Sequence, residues 1–387
     1  VPKGSFSAVD EAPMVSTASK IVETPLITKI AFEKNSAVIN SLYADQKSRL
    51  PVLRILAERL HKNPQLSIQL EGVADSNSNE TKAALADSRA EAVKNSLMQM
   101  DVLADQINIA PGRVLSARML PPDSADAEML RQERRYVEIS APAAGEAILF
   151  QPVEKRETTI EKAAIQFSSD VASAISFSSG EALFVSNEGQ AKQYLNLENK
   201  NSTGKVSWRL PPDMSPDWLD QDIDYSMSIQ DSLGRSFQTS IKTMRLKQRA
   251  KTKHHVISVP LQFGKKEPPS EVAWRHVLET ASEILQDSTM RVRVEGHACA
   301  IGANDVNQKL STTRAIYFDQ KIRDYLKSGR DQFSADAFSR IDKPVGFGEA
   351  RPLVLQESTK NAINDSFLDR QLNRRIEIVF YKTGDKF

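Results

Sequence analysis

Two rhythms of apolar and polar positions divide this chain. From Pro25 to Pro142, strand-like and helix-like stretches alternate. Leu26–Phe32 (LITKIAF) predicts a strand, and Pro51–Lys62 a helix with Leu53, Leu56 and Leu60 on one face and Pro51 in the tolerated first turn. Ser67–Glu71 alternates like a half-buried strand, with Ile68 and Leu70 on one side. Leu85–Met98 places Ala86, Ala90, Val93 and Leu97 on one helical stripe, and YVEIS at Tyr136–Ser140 reads as a closing strand. The order predicted for this segment is β-α-β-α-β.

Between residues 143 and 252 the helical period disappears. Short alternating runs, among them AISFS, ALFVS, KVSWRL and DYSMSIQ, are separated by turn residues such as Ser179-Gly180 and Asp231 to Gly234. They predict an antiparallel β-sandwich of immunoglobulin-like type with Trp208 in its core. Such a unit is a spacer or a ligand-binding sandwich. The basic run Met244–His255 (MRLKQRAKTKHH) reads as a solvated edge or linker, or else as a contact for an anionic polymer or lipid. His254 and His255 are adjacent, so a strand turns them to opposite sides, and no third ligand stands at a metal-binding interval.

From residue 253 the first rhythm returns. Val256–Phe263 predicts a strand; Ser270–Leu285 a helix turning Trp274, Val277, Leu278, Ala281 and Leu285 inward; Met290, Val292 and Val294 a second strand. A helix over Ser311–Leu326 and the strand RRIEIVFY complete the set. Phe32 matches Phe263, Gly72 matches Gly296 and Arg89 matches Arg314, so the pattern predicts a diverged internal duplication around an all-β insert. Residues 1–24, rich in Ser, Ala and Pro, are read as a flexible leader without a signal-peptide core or a lipid-attachment cysteine.

Bulk properties narrow the partners more than the fold. Lys plus Arg total 51 against 50 Asp plus Glu in 387 residues, so no global field draws the chain to nucleic acid. A lone cysteine, Cys299, excludes a disulfide scaffold. No apolar run approaches a bilayer span, so membrane association is expected only through a region outside this sequence or through a partner.

The second segment carries GHACAIGANDVNQKLSTTRA, then GFGEARPL, then LNRRIEI. This series resembles the OmpA-like peptidoglycan-binding family, whose pattern is approximately GHTDxxGxxxxNxxLSxxRA, GxGxxxP and NRRVEI. Gly296, His297, Gly302, Asn307, Leu310, Ser311, Arg314, Ala315, Gly346, Gly348, Pro352, Asn373, Arg374 and Arg375 fall in register. The first segment, with EGVADSNSNETKAALADSRA and ERRYVEI, is similar to the same pattern through Gly72, Asp75, Leu85, Arg89, Ala90, Arg134, Arg135 and Glu138, one residue shorter in its loop. The resemblance implies OmpA-like domains at 25–142 and 253–387; with the flexible segment at 1–24 and the immunoglobulin-like sandwich at 143–252 read from their patterns, the chain is expected to be α+β.

It also implies a ligand. Family members grip the diaminopimelate zwitterion of the peptidoglycan stem peptide, an Asp taking its ammonium and an Arg its carboxylate in a bidentate fork. Carried onto this chain, the peptidoglycan-binding candidates are Asp75, Arg89, Asn307, Arg314 and Arg374. Val73 and Lys82 depart from the pattern in the first copy, Lys82 as a charge that would repel the ammonium. Cys299 stands at the degenerate Asp position in the second, so a Cys299→Asp substitution is expected to raise ligand binding there. Cys299 has an alternative as a nucleophile with His297 as base, and Arg314 as a salt-bridge partner of Glu349 or Asp365. No enzyme activity, cofactor or metal is expected. Two functions remain open: a Gram-negative periplasmic protein anchoring an outer-membrane or envelope assembly to peptidoglycan, or degenerate domains serving as scaffold or stalk modules among other envelope proteins.

Overall fold

The computed structural model describes residues 2–45, 48, 50–119, 125–160, 164–195, 201–210, 214–328, 335–353 and 366–383. The fold mixes helix and strand, and the chain divides into two compact units. One comprises Val1–Ile21 and Arg156–Lys253, the other Val22–Lys155 and His254–Phe387.

The smaller unit is all β. Lys3–Ala8, Ala164–Ala172 and Asn201–Arg209 form a three-stranded antiparallel sheet. A second antiparallel sheet runs Gly189–Tyr194, Phe177–Ser186, Asp222–Asp231 and Ser236–Gln238, with Lys242–Arg245 also on Asp222–Asp231. Alternation decides which side chains enter the core: Ile165, Phe167, Ser169 and Val171 are buried and their neighbours are exposed. Trp208 is buried, as its pattern predicts, and stacks on Phe184 at 3.8 Å between ring centroids.

Two expectations need correction here. Residues 1–24 contain the strands Lys3–Ala8 and Met14–Thr24 rather than a flexible leader. In the second strand the inward positions include Val15, Thr17 and Ser19, so its period of two is carried largely by small polar residues. The segment 143–252 is not wholly β, because Ala143–Leu149 is a helix behind Pro142 and buries Leu149.

In the larger unit, the first half builds a four-stranded sheet in the order Lys29–Ala31, Tyr136–Ser140, Ile68–Asp75, Ile107–Leu115. The last pair is parallel and the others antiparallel. Helices Val52–Lys62 and Ala83–Met98 pack their predicted stripes into one core. The expected β-α-β-α-β order lacks two observed elements, the strand Ile107–Leu115 and the helix Ala125–Gln132. That strand lies at the sheet edge and contains Pro111-Gly112, a pair that reads as a turn and that only an edge position tolerates.

The second half repeats the arrangement. His254–Pro260 pairs with Arg375–Tyr381, the strand Arg375–Lys382 pairs with Met290–Gly296, and the short strand Val345–Gly346 lies parallel to Met290–Gly296. First strand, last strand, middle strand and parallel edge strand thus follow in the same order in both halves. Helix Asn304–Ser328 starts two turns before the predicted Ser311, because those turns bury only Asn307 and show no apolar period. Gly72 and Gly296 play one role. A Cβ on Gly72 would lie 1.8 Å from the Ala86 carbonyl oxygen and one on Gly296 2.0 Å from that of Ser311, so only glycine lets the helix seat against the strand.

The halves also share cores. Leu368 and Leu372, on the helix Phe367–Asn373, sit in the first half's core with Leu53, Leu56 and Val137. Conversely Leu130 of the first half packs on Cys299 and Ile301 of the second.

Candidate functional site

In the first half, Asp75 ends the strand Ile68–Asp75 and Arg89 lies one turn beyond Ala86 on the facing helix. Both are fully buried. Arg89 spends all five of its N–H donors internally. Its Nε donates to the Ser36 carbonyl at 2.9 Å, Nη1 to Val73 O at 2.9 Å and Nη2 to Glu33 O at 3.2 Å. The remaining two reach the Glu80 carboxylate at 2.9 and 2.6 Å. Glu80 also accepts the amides of Asn35 and Asp75. Burial pushes the Glu80 carboxyl up, but Arg89 and these amides outweigh it and hold it below the ordinary range.

Asp75 is likewise occupied. It accepts from Arg134 Nε at 2.6 Å and from the Ser78 hydroxyl at 2.9 Å. Arg135 reaches Ser78 and Glu128. Lys82, expected to face a ligand ammonium, is instead the exposed residue preceding helix Ala83–Met98. The structure therefore brings Asp75 and Arg89 to one place, and sets a carboxylate and a guanidinium of the same chain against them.

The second half closes differently. Arg374, 3% exposed, forks onto Glu133 of the first half at 2.9 and 2.8 Å, and Arg370 joins the same carboxylate at 3.3 Å. Burial pulls both guanidiniums down; Glu133 reverses this for Arg374, while Arg370 stays lowered. Cys299 lies beside them, 3% exposed, with Arg374 Nη1 3.7 Å from its sulfur and Leu130 packed against it.

Arg314 donates twice to the Lys265 carbonyl, at 3.1 and 2.7 Å. Among the described residues no carboxylate pairs with it, and burial together with repulsion from Arg374 pushes it down to about 10. Its expected partner Glu349 accepts from Asn307 instead, and Asp365 lies outside the described residues. Asn307 spans the loop by donating also to the carbonyls of Cys299 and Ile301. The first half's contribution was the part sequence reasoning missed. Glu133 lies outside the matched motif positions, and nothing in its local spacing pointed to Arg374.

No family model matches the chain, and no curated protein matches it. Solved structures do. Over 32% of its length the chain is similar to the peptidoglycan-associated lipoprotein from Burkholderia pseudomallei, at 15% identity, 88% of that chain and a TM-score of 0.25. Over 34% it is similar to the periplasmic domain of Helicobacter pylori MotB, at 15% identity, 78% of that chain and a TM-score of 0.26. Over 42% it is similar to the OmpA-like domain of FopA1 from Francisella tularensis, at 14% identity, 78% of that chain and a TM-score of 0.23.

His297 and Cys299, paired above as base and nucleophile, engage different neighbours. The imidazole stacks on Phe347 with Nε2 3.7 Å from Glu377, whereas the thiol meets Arg374 and Leu130. Glu295, His297 and Glu377 bring three ligand-capable atoms within 4.8 Å of one another. Arg293 and Arg351 hold Glu295, and Arg375 holds Glu377, so three guanidiniums already neutralise the cluster. It reads as an ion-pair network across the paired strands.

Proposed function

We propose that this chain is a non-catalytic scaffold of a Gram-negative periplasm, built from two diverged OmpA-like halves and an immunoglobulin-like β unit, with both ligand sites closed from within. One observation carries the proposal: each half's candidate site is filled by the chain's own carboxylate, Glu80 on Arg89 and Glu133 on Arg374. The motif series supports the family and envelope setting; the closed geometry supports protein–protein use of the fold. Its partners are other envelope proteins.

The energetics favour the internal occupants. Diaminopimelate would have to strip Glu80 from Arg89 and Arg134 from Asp75, both desolvated pairs whose competitors are tethered at an effective concentration of about 1 mM or more. In the second half the acid for the ligand ammonium is absent, Arg314 is 1% exposed, and Leu130 fills the space at Cys299. Peptidoglycan anchoring through Asp75 and Arg89 is the competing reading, and it requires these groups to leave.

Co-sedimentation of the full chain with purified sacculi, with and without free diaminopimelate-containing muropeptide, separates the two. The scaffold reading expects background retention that muropeptide does not change. Retention that muropeptide releases would establish anchoring and overturn it.

A further inference from the structure

Residues 25–29 lead into the edge strand Lys29–Ala31, and all five line one cavity of about 180 Å3. Residues 260–263 of the second half line it from the other side. Leu26, Ile27 and Leu261 are buried in these walls, whereas Phe263 is exposed. The cavity is smaller than the ~300–1,000 Å3 of a site for a drug-sized molecule, and suits a single apolar side chain. The strand beside it has an open edge. Ile139 N–H donates to the Thr28 carbonyl and Phe32 N–H to that of Arg135, so Thr28 and Phe32 occupy hydrogen-bonded pairs of the antiparallel ladder. Main-chain groups alternate in direction along such a strand, so Lys29 and Ala31 turn theirs outward. The Ala31 N–H already donates to the Tyr43 hydroxyl at 2.9 Å. Among the described residues this strand pairs only with Tyr136–Ser140, which leaves the Lys29 N–H and C=O for an added strand.

Charge narrows the occupant further. The lining carries Lys29, Arg118, Arg134 and Arg374 against Glu133 alone. Glu138, Asp75 and Glu133 answer Lys29, Arg134 and Arg374. Arg118 has no such partner among the described residues. Both polar ends of the Asn77 amide hold its main chain, at 2.8 and 3.0 Å, and its exposed side chain is left over at the cavity. Gln371, buried in the same lining, has no hydrogen-bond partner for its Oε1 among the described residues. We propose that this edge and cavity dock an extended segment of a partner protein that carries a bulky apolar side chain flanked by carboxylates. Its main chain bonds to Lys29, its apolar side chain enters between Ile27 and Leu261, a carboxylate meets Arg118, and an N–H of the segment satisfies Gln371. The inference rests on the scaffold reading for the partner's being a protein, and it uses neither Arg89 nor Arg314.

The full chain, with leucine and isoleucine methyl groups labelled, is titrated by NMR with a blocked pentapeptide holding a central leucine between two aspartates. Saturable shifts are expected at the methyls of Leu26, Ile27 and Leu261. Serine in place of the peptide's leucine, or lysines in place of its aspartates, should weaken binding roughly tenfold or more. Arg118→Glu in the chain should do the same, and methyls far from the cavity report that the fold is kept. No saturable shift at the three residues, or binding unchanged by the lysines or by Arg118→Glu, would overturn the site. Release of the chain from sacculi by muropeptide would overturn the scaffold reading instead and leave these shifts in place, so the two failures are told apart.

Discussion

Replacing Glu133 by Gln removes the one charge that two buried guanidiniums share. Gln keeps the shape, but its amide offers a single acceptor where Arg374 now finds two at 2.9 and 2.8 Å and Arg370 a third contact at 3.3 Å. The Arg374 and Arg370 side chains are 3% and 0% exposed, so water cannot replace the lost carboxylate. Breaking such a pair by deleting one partner costs ~3–5 kcal/mol, most of it the burden of the stranded cation. Arg374→Met in the same chain should recover part of this, because it removes the cation that forks onto Glu133, while Arg370 keeps its bond to Gln132. Native-state hydrogen exchange, read by mass spectrometry over the strand Arg375–Lys382, measures both changes in the unit concerned. A loss under about 0.5 kcal/mol for Glu133→Gln, or no coupling in the double-mutant cycle, would refute the reading of Glu133 as the internal occupant of this site.

Glu80→Gln should destabilise the first half by a similar ~3–5 kcal/mol. Because folding lowers the Glu80 value below its ordinary 4.5, the Glu80–Arg89 contribution is full above that pH and lost as pH falls through the folded value. Acid titration followed by circular dichroism should show this loss in the parent chain and not in the variant. Gly296→Ala would force a methyl to within 2.0 Å of the Ser311 carbonyl, so a thermal melt should report a loss of ~1–3 kcal/mol or more. Cys299→Asp, expected from sequence to restore ligand binding, should instead compete with Glu133 for Arg374; calorimetric titration with muropeptide should show no gain.

The sequence exposed the fold wherever burial falls on apolar residues at a regular period. Ala86, Ala90, Val93 and Leu97 are all buried as their spacing requires, and the strand Tyr136–Ser140 has its predicted bounds. Legibility failed where other residues carry the pattern: Thr17 and Ser19 in a strand of the smaller unit, and Pro111-Gly112 in an edge strand. The candidate site was legible as positions and opaque as a state. Asp75 and Arg89 do converge, yet what they bind depends on Glu80 and Arg134, whose approach is a tertiary fact. Glu133 lies 241 residues from Arg374, and no local spacing announces such a pair.

The helix Phe367–Asn373 gives the larger unit a vectorial problem. Its Leu368 and Leu372 complete a core whose other residues run from Leu26 to Leu149. During synthesis those residues emerge first, and then the whole of Arg156–Lys253 before the missing leucines. Each absent leucine leaves a void worth ~2–5 kcal/mol, so the nascent first half waits with apolar surface open while the β unit completes itself. A chaperone that holds unfinished clients has a defined target here, and a chain truncated before Phe367 would keep that surface exposed.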